Sequence, residues 1–113
     1  MEPIEINAGS WYLRALRADE RVDDRPALAD GGVTDPDHVA RRTAQWASDE
    51  HWSWAVCEPT TGELLAEVGL TPHAGTAVLT GWARPGHEDA LAAALTTVAR
   101  FGEGGLGLAV SRG

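Results

Sequence analysis

The chain has no lysine, one cysteine, one tyrosine and no long apolar run. A lone Cys57 permits no intrachain disulfide and argues against a cysteine-based zinc site. It fits a reducing, cytoplasmic setting. No apolar stretch approaches the roughly 18–20 residues of a membrane span. The opening MEPIEINAGS carries two acids, no base and no apolar core, so it does not read as a secretory signal. Positive charge is scarce. Nine arginines stand against 17 acids, a formal net charge of −8. A sequence-independent nucleic-acid binder needs the opposite balance to release counterions, so that class is excluded. Attraction to anionic membranes is opposed for the same reason. An anionic ligand would need a local basic or amide-rich site to overcome the field.

What is present suits one globular domain spanning residues 1–113. Apolar residues make up 43% and charged residues 23%. A chain of this size buries roughly two-thirds of its unfolded surface.

Alternation over Tyr12–Leu16 predicts a short strand. The mixed charges from Arg17 to Arg25 read as a solvated face, with a short helix there ended or kinked by Pro26. After Gly31-Gly32, Asp35 as N-cap and Pro36 at the first helical position predict a helix to about Ser48. Val39, Thr43 and Trp46 form its stripe, beside Ala40, Ala44 and Ala47. Trp52, Trp54 and Val56 alternate with Ser53, Ala55 and Cys57, which predicts a strand with both tryptophans packed on one face. Turns at Pro59–Gly62 and Pro72–Gly75 bound a second strand from Glu63 to Thr71, and a third runs from Thr76 to Arg84. A helix is predicted from His87 to Arg100, with Leu91, Leu95 and Val98 inward and Ala94 and Phe101 adjoining. A last strand follows over Leu106–Ser111.

Few motifs carry chemistry. GEGGLG, residues 102–107, follows a helix, whereas a dinucleotide fingerprint follows a strand and opens a helix; it reads as a helix stop. No two of His38, His51, His73 and His87 fall at i,i+4, so no metal site is expected. No serine lies in a nucleophile elbow, and Cys57 reads as a small buried residue rather than a nucleophile. Glu67 is an acid within an apolar strand. If Leu64, Ala66, Val68 and Leu70 face one side, Glu67 faces the other with Leu65 and Gly69. It reads either as a general base of raised pKa or as a cleft-facing carboxylate paired with an arginine.

The order β-α-α-β-β-β-α-β resembles that of the GNAT superfamily of N-acetyltransferases, and the local wording agrees. SWYLRALRADE resembles the opening strand of the branch that acetylates protein and amino-acid N-termini, ribosomal proteins included. WSWAVCEPTTGELLAEVGL, residues 52–70, resembles its meander; TAVLTGWARP, residues 76–85, its fourth strand; and residues 90–110 its following helix and fifth strand. The resemblance implies an α/β (α+β) fold with a mostly antiparallel sheet, and acetyl-CoA as cofactor. It places Trp82, Arg84, Gly86, His87 and Ala90 toward the cofactor, with Glu67 and His87 as catalytic candidates.

Two departures shape the expectation. The family's Q/R-x-x-G-x-G/A cradle is replaced by Pro85-Gly86-His87-Glu88-Asp89-Ala90-Leu91-Ala92. Glu88 and Asp89 suit the helix's own dipole but repel a pyrophosphate. Two like charges about 5 Å apart at an effective dielectric near 20 repel by roughly 3 kcal/mol, about two decades of affinity. The family's C-terminal helix and last two strands, with their usual tyrosine acid, have no counterpart, and the only tyrosine is Tyr12. The uncovered fifth strand then predicts a homodimer or a partner protein there. Three readings follow: a repurposed relative with a degenerate acetyl-CoA site that takes a small molecule; an active N-acetyltransferase with an amine substrate; or a non-enzymatic dimeric binding module.

Overall fold

The computed structural model describes residues 1–113. Its elements are β1 (Ile6–Ala8), β2 (Trp11–Arg14), α1 (Arg25–Asp30), α2 (His38–Ser48), β3 (Trp52–Cys57), β4 (Leu64–His73), β5 (Thr76–Ala83), α3 (Glu88–Arg100) and β6 (Ala109–Arg112). The six strands form one sheet in chain order. Neighbours are antiparallel except β5 and β6, which run parallel because α3 makes the crossover between them. Beyond the predicted order the sheet gains β1, a three-residue strand folded onto β2 through Gly9 at φ +62°. No helix is long and apolar enough to cross a membrane.

Several boundaries differ from the sequence reading, each for a local reason. Pro26 does not end a helix in the charged stretch. It opens α1, where a missing N–H costs nothing. The charged stretch is instead a tight loop whose Asp19 carboxylate accepts the N–H groups of Arg21 and Val22. Asp35 is not the N-cap of α2. Its carboxylate accepts the Asp37 N–H, and the helix begins at His38, two residues later than expected. The buried stripe of α2 is His38, Val39 and Trp46, while Thr43 and the alanines beside it are exposed. In α3 the fully buried positions are Ala90, Ala94 and Val98, with Leu91 and Leu95 half-buried on the flanks. A π-turn, Phe101–Gly105, closes α3 and delays the last strand to Ala109. Pro72 and His73 belong to β4, and only Ala74 and Gly75 turn the chain. Both have positive φ, 49° and 83°, as a type I′ hairpin needs.

The predicted alternation of β4 breaks at one place. Val56 pairs with Ala66, yet Cys57 pairs with Leu64, so Leu65 is an extra residue in the ladder. The bulge sends Leu64 to the opposite face from Ala66, Val68 and Leu70, where it packs with Leu16, Leu28, Val39, Ala55 and Cys57 under α1 and α2. The other face holds the main core, in which Leu13, Trp54, Val56, Val68, Leu70 and Leu79 meet Ala90, Ala94 and Val98 of α3. Trp52 and Trp54 share that core. The Trp54 ring, however, meets Trp46 and Phe101 edge-on, with centroids 5.1 and 5.8 Å away.

A buried ion pair anchors the loop before α1. Arg14 and Asp24, 7% and 3% exposed, form two parallel 2.8 Å hydrogen bonds. Asp24 also accepts the Arg17 N–H, and Arg14 reaches the Gly62 carbonyl. The pairing raises the Arg14 pKa above its ordinary value.

Candidate functional site

On α2, His38, Arg42 and Gln45 repeat at four and three residues and so share a face. His38 and Arg42 of that stripe reach β4. His38 Nε2 lies 2.8 Å from Glu67 Oε1, and Arg42 Nε donates to Glu67 Oε2 at 3.0 Å. Arg42 Nη1 donates to Gln45 Oε1 at 3.0 Å. Glu67 is 3% exposed, so this pairing compensates a carboxylate taken out of water. The second reading of Glu67 from the sequence, a cleft carboxylate paired with an arginine, matches its geometry.

Cross-strand register puts a row of residues on the same face. Glu67 pairs with Ala55 and Trp82, and Gly69 pairs with Ser53 and Thr80. Gly69 leaves a hollow that the His51 imidazole partly fills; a Cβ there would overlap the ring at Nε2 and Cε1. His51 Nδ1 is held 2.9 Å from Thr71 Oγ1. Burial, and then the Arg42 guanidinium, pulls the His51 pKa down to about 4, so the ring is neutral at neutral pH. Ser53 Oγ, across from Gly69, is buried with no hydrogen-bond partner. Trp82 closes one end of the row, its ring packed so tightly on Gly31 that a Cβ at Gly31 would collide with it.

The result is a cleft of about 140 Å³ lined by Arg42, His51, Glu67, Gly69, Thr80 and Trp82, with the backbone of Val68 and Gly81. Whole small ligands usually fill roughly 300–1,000 Å³. This cleft has room for an end group.

The remaining candidates lie at the entrance of α3. His87 is its N-cap residue and half-buried. Gly86 is exposed with φ +88°. The amides there serve the chain's own acids: Gly86 N–H points to Glu88 Oε1 at 3.4 Å, and Ala90 N–H donates to Asp89 Oδ1 at 2.9 Å. The Ala90 side chain is fully buried in the main core. Arg84 is engaged as well. It donates to Asp30, Glu63 and the Leu64 carbonyl at 2.8, 2.7 and 2.9 Å, and these bonds raise its pKa. Two carboxylates thus take up amides at this helix entrance, and the nearest arginine in sequence is bound to two acids.

The structure thus joins Glu67 and Trp82 in one cleft and places Arg84, Gly86, His87 and Ala90 outside its lining. It adds Arg42, His51 and Thr80, and His38 behind Glu67. Only the four-residue spacing of His38 and Arg42 signalled them in the sequence. Cys57 is fully buried, and burial raises its pKa to about 11.

No protein-family model matches the chain, and no curated protein matches it. Solved structures do. One from Vibrio cholerae, assigned as a ribosomal-protein-serine acetyltransferase, superposes with a TM-score of 0.77 at 18% identity, covering 93% of this chain and 70% of that one. A second, assigned as an acetyltransferase, gives 0.78 at 13% identity, with 96% and 72% covered. An acetyltransferase from Agrobacterium tumefaciens gives 0.63 at 21% identity, with 93% and 70% covered. The fold is GNAT-like, the one the sequence resemblance implied.

Proposed function

We propose that this chain, built on the acetyltransferase fold, binds the amine-bearing end of a small molecule in the Glu67 cleft and does not hold acetyl-CoA at α3 in the usual way. The observation that carries the reading is the pair of bonds from the Gly86 and Ala90 amides to Glu88 and Asp89. A pyrophosphate would have to displace both carboxylates and then sit beside them. The cleft, by contrast, suits an amine. Glu67 keeps a spare lone pair on each oxygen, His51 is neutral and repels no cation, and the net charge of −8 draws cations inward. The site residues then take these roles: Glu67 accepts from the amine and Trp82 forms the wall, while His87 stands at the N-cap position of α3 with no side-chain capping bond. Cys57, buried and reduced, suits a cytoplasmic setting, and the exposed edge of β6 is where a second copy or a partner would pair.

A second reading is an active N-acetyltransferase, favoured by the assigned activity of the three structural neighbours. Calorimetric titration of acetyl-CoA into the 113-residue chain separates the two. No heat up to millimolar cofactor is expected. Micromolar binding at one site per chain would overturn the reading and restore the acetyltransferase.

A further inference from the structure

We infer that the cleft is built for a zwitterionic head, an ammonium and a carboxylate on one carbon, as a free α-amino acid presents. The inference rests on the amine reading above and adds the carboxylate. Arg42 and Glu67 line the same small cavity with opposite charges and are themselves in contact, 3.0 Å apart. Each keeps capacity to bond a ligand. Arg42 uses Nε on Glu67 and Nη1 on Gln45, while Nη2 donates to nothing. Each Glu67 oxygen has a single partner. Within the lining itself His51 adds no charge, because burial and the Arg42 guanidinium hold it in its neutral form.

A cation alone gains at Glu67 and is repelled by Arg42. A carboxylate alone meets the reverse. A ligand with both charges on adjacent groups gains at both, which is the complementarity that sets specificity at a paired-charge site. The volume agrees: about 140 Å³ admits the head and leaves the rest of the molecule outside the cleft. A zwitterion also has no net charge, so it is indifferent to the overall field that disfavours anions.

The test compares three probes on the full chain by calorimetry and by amide shifts at Gly69, Thr80 and Gly81: L-alanine, its methyl ester with the amine alone, and N-acetyl-L-alanine with the carboxylate alone. L-alanine is expected to bind at least about tenfold more tightly than either. An ester that binds as well as L-alanine overturns the zwitterion and leaves the amine reading standing. N-acetyl-L-alanine binding best, or none of the three binding, overturns both. The variant Arg42→Gln is expected to level the two, weakening L-alanine and strengthening its ester, since the guanidinium that holds the carboxylate also repels the amine. An undiminished preference for L-alanine in a folded Arg42→Gln overturns the assignment of Arg42. If that variant does not fold, Arg42→Lys replaces it, since it keeps a charge beside Glu67 but loses the fork; its preference for L-alanine should fall, and an unchanged preference counts against the inference.

Discussion

The His51 imidazole lies across the Cα of Gly69, in the space where any other residue would carry its Cβ. The floor of the cleft and the seat of the histidine are therefore one feature. Gly69→Ala should destabilise the fold by about 1–3 kcal/mol through overpacking. The same change in a His51→Ala background should cost less, because the ring is gone. A double-mutant cycle by urea denaturation measures the coupling, and strict additivity would refute it.

His51 also sets a pH window. Its folded pKa of about 4 lies below the ordinary 6.5. Between those values the unfolded chain binds the extra proton, so stability is full above about pH 6.5 and falls as pH drops toward 4. Asp19, Asp23, Asp35, Asp49 and Glu58 have lowered pKa values, held down by hydrogen bonds. Their contributions are lost at still lower pH. Melting temperatures of wild type and His51→Phe from pH 4 to 7 test this. The variant should show a flatter slope between about pH 4 and 6.5, and an identical slope would assign the effect to other groups.

Removing one partner of the Arg14–Asp24 pair strands the other charge in a buried site. Asp24→Ala should cost about 3–5 kcal/mol, more than most surface changes in the chain. Chemical denaturation reads it directly, and a loss under about 1 kcal/mol would mean that water reaches Arg14.

The hairpin turn offers a gain. Ala74 adopts φ 49° in a turn type that favours asparagine or glycine. Ala74→Asn should raise stability by about 0.5–1 kcal/mol without touching the cleft. A thermal melt checks the sign.

Glu88 and Asp89 set the polarity of the α3 entrance. Glu88→Gln with Asp89→Asn should cost about 0.3–1 kcal/mol per site in helix stability. It should also remove two negative charges beside the Gly86 and Ala90 amides and raise the affinity for a phosphate-bearing probe such as acetyl-CoA. Unchanged, undetectable binding would show that the backbone there is not shaped for phosphate.

The order of strands and helices was legible because its signals are local. Alternation at Trp52–Cys57, the glycine turns and the helical spacing of Ala90–Arg100 each act within a few residues. What was not legible depends on partners distant in sequence. β1 is three residues long and exists by pairing with β2. The bulge at Leu65 lies in the pairing of β4 with β3, a partner distant in sequence, and it overturned the predicted face of Leu64. Glu67 stood out as an acid among apolar residues. Its companions did not, because His51 enters from the loop before β3 and Arg42 from a helix whose cap lay two residues beyond the strongest N-cap signal.

The two-residue turn at Ala74-Gly75 also bears on how the chain reaches this state. β4 and β5 are the longest strands, and they are joined by only two residues, so their pairing gains the most ladder for little loop entropy. Arg14, by contrast, finds Ala55 only after both α1 and α2 have been traversed, and β6 docks only after α3. The hairpin is thus the natural folding nucleus. Substitutions at Val68, Leu70 and Leu79 should slow folding, and those at Leu13 and Val110 should chiefly speed unfolding.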